Sequence, residues 1–307
     1  MRALNKFLGA NRIGLVDVGA SGGLEPRWYS LRRNIKSFLF EPDARSHQGL
    51  KAADFIEEIF PVGLGTSQTN TVLNLCRKPG VSSFLSPRHS FLSRFPSSER
   101  FDVVAQETIK LSTLDKCLMG RWRECDFIKI DAQGSGLGVL HGGDALLDKP
   151  IIGLEVEVEF VRMYEEQPLF GDICSYLDKK GYEFIDFVNI CRWEREKFSY
   201  FGQAIFGDAL FLRSPEAFAK ILSGLPSGFA CQKAKSYIAI VALYDHVDLL
   251  KVCIDCFQQF LSPEDVKKAG WLRSTLLMRR KLTGSVVWSA NQVLKPFGMR
   301  FIGLQYS

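Results

Sequence analysis

Six carboxylates stand where a side chain could act on a small molecule: Asp17, Glu41, Asp131 and the alternating trio Glu155, Glu157 and Glu159. Asp17 interrupts the apolar run Leu15-Val16-Asp17-Val18, and Gly19, Ala20, Ser21, Gly22 and Gly23 follow it. No bulky side chain passes through that turn, so the backbone can approach a ligand, and a helix starting beyond it would favour negative charge. The spacing is Asp-x-Gly-x-Ser-x-Gly, not Gly-x-Gly-x-x-Gly. It suits a ligand with an ammonium group and a ribose better than one with a pyrophosphate. Glu41 and Pro42 end a second apolar run, about 20 residues past the turn, where a ribose diol is gripped. Gly63 closes a third run, near the base of a bound nucleoside. Asp131 ends a further strand and leads into Gln133-Gly134. A hydroxyl that is to react benefits from a base that takes its proton. Asp131 is the first choice for that base, then Glu155 or Glu157, with His141 a weaker one. The plainer readings remain beside these: Asp131 as a structural acid, and the three glutamates as a charged face paired with Lys or Arg.

Positioning these groups requires strands that end at one edge of a sheet. Apolar runs at 14–18, 37–40, 55–62, 126–131, 151–160, 182–188 and 208–212 read as strands, with 71–76 and 103–111 as further ones. Helical spacing is expected at 24–33, 45–53, 138–147 and 170–180. Strands alternating with helices indicate an α/β, doubly wound, seven-stranded and mostly parallel sheet, Rossmann-like in kind. In such sheets ligands sit beyond the carboxyl ends of the strands. The segment 77–100, rich in Ser, Pro, Arg and Phe and containing His89, reads as an irregular lid or substrate loop. From residue 214 the pattern turns helical, at 215–222, 230–243, 247–260, 263–282 and 286–294. The expected division is therefore a sheet domain over 1–213 and a basic helical extension over 214–307.

Bulk properties bound the rest. The 307 residues are 46% hydrophobic and 24% charged, ordinary for a globular protein. No apolar run reaches the roughly 20 residues that span a bilayer. The N-terminus lacks the pattern of a cleaved leader, so the expected location is cytoplasmic. Net charge is +5, and the excess lies wholly beyond residue 214, with 12 Lys+Arg against 6 Asp+Glu. That basic extension could dock on the sheet domain, pair with a second copy, or lie on an anionic membrane as a peripheral contact. Nothing in it points to nucleic acid. Of eight cysteines only Cys253 and Cys256 form a C-x-x-C, and zinc would need two more ligands, so two helix-face thiols are expected. A divalent ion on Asp131 and a glutamate of 151–160 would match oxygen coordination. With no further ligand identifiable, no metal is expected.

Four stretches together resemble the FkbM family of S-adenosylmethionine-dependent methyltransferases. They are Val16-Asp17-Val18-Gly19-Ala20-Ser21-Gly22-Gly23, Phe40-Glu41-Pro42-Asp43, Phe127-Ile128-Lys129-Ile130-Asp131-Ala132-Gln133-Gly134, and Glu155 through Tyr164 to Gln167-Pro168-Leu169-Phe170. The resemblance covers residues 11–212. It implies a class I methyltransferase sheet with its last strand antiparallel, and methyl transfer to a hydroxyl of a sugar, lipid-linked glycan or natural product. It further implies that Gly19 to Gly23 cradle the methionine part of S-adenosylmethionine, that Asp17 holds its ammonium, and that Glu41 takes the ribose. Asp131 and Gln133 would line the cleft near the methyl. One position departs: members commonly carry glutamate where this chain has Gly136. The departure keeps an alternative in view, a non-catalytic cofactor-binding scaffold in a glycan or envelope assembly complex.

Overall fold

Strand β1 (Ile13–Val18) is buried along its whole length, as a central parallel strand covered on both faces must be. The computed structural model describes residues 2–21, 23–43, 54–196 and 202–294, the last twelve of them as backbone only. Gly22 and the helix expected at 45–53 lie outside the described residues.

The chain divides into two compact units, Arg12–Ser214 and Met1–Asn11 with Pro215–Ser307. In the first, β1 pairs in parallel with β2 (Ile35–Phe40) on one side and β7 (Phe127–Ile130) on the other. β3 (Ile56–Phe60) extends the sheet beyond β2, and β8 (Gly153–Glu159) extends it beyond β7. β10 (Gln203–Leu212) runs antiparallel to both β8 and the edge strand β9 (Glu183–Trp193). The order β3-β2-β1-β7-β8-β10-β9 is a seven-stranded, mostly parallel Rossmann-like sheet. β4 (Gly63–Leu64), β5 (Asn70–Cys76) and β6 (Val103–Ser112) form a separate three-stranded sheet. At the amino end of β1, the Gly14 N–H donates to the Asp126 carboxylate at 2.9 Å, across 112 residues of chain.

Alternation along the strands gives the large sheet two unlike faces. Val16, Val18, Ile128, Ile130, Leu154, Val156 and Val158 point into the main apolar core. Asp17, Lys129 and Glu155 stand in register with one another on the other face. Glu157 and Asp208 follow one pleat further on. Trp28, fully buried, packs on Phe127 there at 5.2 Å between ring centroids.

Two expected helices are broken. Residues 24–33 give only α2 (Pro26–Tyr29) and a 3-10 turn at Arg32–Asn34, because the Ser30 hydroxyl donates to the Arg27 carbonyl at 2.6 Å and ends α2. Residues 138–147 split into α5 (Gly136–His141) and α6 (Asp144–Leu147). The break falls at Gly142, where a Cβ would come within 2.0 Å of the Gly65 carbonyl oxygen. α4 (Leu114–Leu118) is capped by Thr113, whose hydroxyl accepts from Lys116 N at 3.1 Å. α7 (Phe170–Lys179) crosses from β8 to β9 and stops before Gly181.

The segment 77–100 is more ordered than its composition suggests. It holds 3-10 turns and α3 (His89–Leu92). Phe91, Phe95 and Phe101 form a small core with Met163, Tyr164 and Ile205. It is a packed wall, since its aromatics have rings to bury against.

The second unit is helical: α1 (Arg2–Leu8), α8 (Pro215–Ser223), α9 (Ser227–Leu243), α10 (Val247–Phe257) and α11 (Pro263–Leu294). α9 is buried on nearly every side and carries Tyr237 into a ring cluster with Phe218 and Phe257. Residues 1–11, expected with the sheet, group with these helices. Leu4, Phe7 and Leu8 are buried, and Asn11 Nδ2 donates to Ser236 Oγ at 3.1 Å. α11 is one helix where two were expected, and Ser262 Oγ accepts from Asp265 N at its start, 3.1 Å. Cys253 and Cys256 are thiols on α10. Among the described residues, no helix is long and apolar enough to cross a membrane.

Candidate active site

At the carboxyl end of β1 the chain turns through Gly19, whose φ of +79° is left-handed. A Cβ there would meet the Asp131 carbonyl oxygen at 1.9 Å, so only glycine lets the ends of β1 and β7 meet. Gly19 N and Ala20 N both donate to the Phe40 carbonyl, at 2.9 and 3.2 Å, and Asp131 N donates to the Val18 carbonyl at 2.9 Å. Three strand ends are thereby stitched into one rim. Ala20 is buried beneath the rim against Leu39. Gly23 closes the turn with its N–H on the Ala20 carbonyl, 3.1 Å, and a φ of +89°.

Beyond the rim lies a cleft enclosing about 850 Å³, its open mouth included. Gly19 and Ser21 line it from the first turn, and Glu41, Pro42 and Asp43 from the end of β2. Val62, Gly63 and Leu64 give it an apolar wall; Asp131, Ala132 and Gln133 give the far side. Pro79, Ser82, Ser83 and Phe84 close it from the packed wall. Glu41 is 4% exposed, and its Oε1 accepts from Asp43 N at 2.8 Å.

Gln133 joins the carboxylates at the far side. Its Nε2 donates to Asp131 Oδ1 at 2.7 Å and to Glu157 Oε1 at 3.1 Å. Its φ is +43°, a strained value for a residue with a side chain. Ser83 Oγ donates to its carbonyl at 2.7 Å and holds it there. The Tyr164 hydroxyl donates to the Val81 carbonyl at 2.9 Å and lies 3.4 Å from Gln133 Oε1. Tyr164 in turn is set by Gln167, whose Oε1 accepts from Met163 N at 2.7 Å and Tyr164 N at 3.1 Å.

Lys129 stands between two of the acids, 3.8 Å from Asp17 Oδ1 and 3.9 Å from Asp131 Oδ2. Burial works against its charge, but Asp17 and Asp131 outweigh that and hold its proton above the usual lysine range. Burial pushes Asp17 up to about 6, with the Asp131 charge adding and Lys129 opposing. Asp17 Oδ1 accepts no hydrogen bond among the described residues. Burial, then the charges of Asp131, Glu159 and Asp208, raise Glu157 well above the carboxylate range. Glu159 is pushed up to about 8 by burial and by Asp131. Asp208 rises to about 6 for the same reasons.

The residues singled out in the sequence are thus not one constellation. Gly19, Ser21, Glu41, Pro42, Gly63, Asp131 and Gln133 meet in the cleft. Ala20 and Asp17 lie under its floor. Glu155 does not line it: the side chain is 1% exposed and paired with Arg27 at 3.0 Å, because its register position faces α2. Glu157 reaches the cleft only through Gln133. His141 and His89 are exposed, with His141 against Tyr176 at 4.6 Å between ring centroids. Gly136 does not line the cleft either; a Cβ there would make ordinary contact with Val156 and Ile130, at 3.6 and 3.8 Å. Among the described residues, no group of three His, Cys, Asp or Glu is arranged to hold a metal ion.

Lys129, Ser83 and Tyr164 carry weight that their sequence context did not assign. The available signal for Lys129 was alternation, since Lys129 and Asp131 share a face two residues apart.

A family model described as the methyltransferase FkbM domain matches residues 17–184, from Asp17 in β1 to the start of β9. The chain belongs to the FkbM methyltransferase family. The FkbM match spans every residue of the cleft described above, and it makes methyl transfer the class of chemistry. Among curated proteins none matches the chain. Among solved structures, a Streptococcus pneumoniae protein described provisionally as a tRNA methyltransferase is similar at 12% identity, over 89% of this chain and 97% of that one, with a TM-score of 0.32. A likeness that loose carries no weight for the acceptor of this FkbM protein.

Proposed function

We propose that this chain transfers the methyl group of S-adenosylmethionine to a hydroxyl oxygen of a sugar, glycan or natural product. The observation that carries the reading is the pairing of two walls in one cleft: Gly19 and Glu41 on one side, the Asp131–Gln133–Glu157 bridge on the other. The residues fit the cofactor on two counts. Gly19 and Ser21 bring small-residue backbone to the cleft from the first turn, and Glu41 brings a buried carboxylate to it from the end of β2. When bound, the cofactor supplies an electrophilic methyl on a sulfonium.

The chain's own groups do the rest. Glu41 accepts hydrogen bonds from a ribose diol. Asp17, under the floor, holds the Lys129 ammonium at 3.8 Å. Val62 and Leu64 pack against an adenine ring and keep water from it. Asp131 takes the proton of the acceptor hydroxyl, a role that contributes roughly 10²- to 10⁴-fold. Gln133 fixes the Asp131 carboxylate by hydrogen bonding, and Ser83 fixes Gln133. Alignment of acceptor and methyl supplies much of the remaining rate. The scaffold alternative rests on Gly136 and on the added helical region, and of these Gly136 lies off the cleft.

Calorimetry with S-adenosylhomocysteine tests the reading. Binding is expected, and Glu41→Ala should weaken it at least tenfold. Transfer of tritium from labelled S-adenosylmethionine to cell-envelope extracts then follows the reaction itself. Absence of homocysteine-derivative binding, with binding of a nicotinamide dinucleotide instead, would overturn the proposal.

A further inference from the structure

Helix α11 presents an apolar stripe to solvent. Trp271 is 56% exposed, Met278 66% and Leu282 71%. Steps of seven and four residues align them on one side of the helix. The opposite side is where α11 belongs to its own unit, through buried Ala269 and Leu272. Lys267 and Lys281 are exposed at the two ends of the stripe. Lys268 and Arg280 are paired instead, with Glu264 at 2.7 Å and Asp245 at 3.0 Å.

The charge around the stripe is one-sided. Residues 266–307 contain eight Lys+Arg and no Asp or Glu. Two of those cations, Lys268 and Arg280, meet acids of their own unit, and an anionic surface would complement the exposed ones beside the stripe. A second copy of this chain would bring two acid-free basic stretches together, which like-charge repulsion opposes. A nucleic acid would match the charge and could stack on Trp271, but offers nothing for Met278 and Leu282. An anionic lipid surface matches both: headgroups for the cations and the acyl boundary for the side chains.

We propose that α11 is a membrane-surface element that docks the protein on anionic lipid, with Trp271, Met278 and Leu282 entering the headgroup–acyl boundary. The helix lies on the bilayer and does not cross it. Tryptophan suits that depth because its ring is apolar and its N–H is not. The inference is independent of the methyl acceptor and of the cofactor.

Co-sedimentation of the full chain with vesicles tests it. One set is neutral phosphatidylcholine; the other contains about one-third phosphatidylglycerol, enough to give a strongly negative surface. Binding to the anionic set alone is expected, weakening as salt rises. Trp271→Ser with Met278→Ser and Leu282→Ser should abolish it. Lys267→Glu with Lys281→Glu should weaken it roughly tenfold or more. Both variants change exposed side chains only, and unchanged circular dichroism confirms that each is folded. Quenching of tryptophan fluorescence by brominated lipid should occur in wild type and fall in Trp271→Phe. The proposal fails if wild type ignores anionic vesicles, or if the triple serine variant binds them as wild type does. It also fails if that variant converts a dimer to a monomer without any vesicle binding having been present. Displacement from vesicles by RNA at equal phosphate concentration would likewise overturn it.

Discussion

Gln133 adopts a φ of +43° and yet is held in three directions, by Asp131, Glu157 and Ser83. Strain of this kind costs roughly 1–3 kcal/mol and persists only where neighbours over-determine it. The neighbours here are groups of the candidate site, and the proposed reaction gives them different parts. Burial raises Glu157 well above the usual carboxylate range, which favours its neutral form as the partner to Gln133. Glu157→Gln should therefore leave turnover at pH 7 within about threefold, whereas Asp131→Asn should lower it about 10²- to 10⁴-fold. Initial rates at saturating cofactor separate the two, and equal losses would reverse the assignment. Glu159 gives a stability prediction. It titrates near 8 in the fold against an ordinary value of 4.5, so the native state keeps a proton that the open chain loses. Its contribution is whole below pH 4.5 and is lost as pH rises through about 8. Asp17 and Asp208 act in the same sense up to about 6. Melting midpoints of wild type and Glu159→Gln should converge in acid and separate in the variant's favour above pH 8; a constant gap would contradict the assignment. Asp131 and Gln133 were legible in the sequence because each closes an apolar strand. Lys129 was not, because its meaning comes from register with Asp17 on another strand.

Elements divide along the same line. β1, β2 and β7 were readable because buried parallel strands are near-continuous apolar runs ending in polar turns, and β8 because its glutamates alternate with apolar residues at period two. α2 was overestimated, since helical spacing in 24–33 gives no sign that the Ser30 hydroxyl will bond back to Arg27. The segment 77–100 was read as irregular because its contacts are long-range: Pro87 bridges to Tyr164, and Phe95 packs on Trp193 at 5.4 Å. Tyr164 ties this wall to the cleft. Tyr164→Phe removes the donor to the half-buried Val81 carbonyl, and should cost about 1 kcal/mol in denaturant unfolding. Because Ser82, Ser83 and Phe84 line the cleft from the same wall, acceptor KM should rise with it while homocysteine-derivative affinity changes less. An unchanged KM would mean that the wall does not shape the acceptor site.

At the scale of the whole molecule, the sheet unit is one continuous stretch and the helical unit is split, with residues 1–11 belonging with the C-terminal helices. A chain of residues 12–214 should therefore stay soluble and bind S-adenosylhomocysteine. A chain of residues 1–214 strands Leu4, Phe7 and Leu8 without their burying partners, and should aggregate more under light scattering. Aggregation of the shorter chain alone would show that the sheet unit needs its helices. The 112 residues between Gly14 and Asp126 set a clock on the same assembly. β1 leaves the ribosome with β2 close behind, but its other neighbour follows only after roughly ten seconds of synthesis. Until then Asp17 has no Lys129 beside it, and the loop that must close is long. The cleft is therefore completed late, once β7 and then β8 have joined the sheet, and a ribosome paused before β7 would hold a nascent chain that has Glu41 and nothing opposite it.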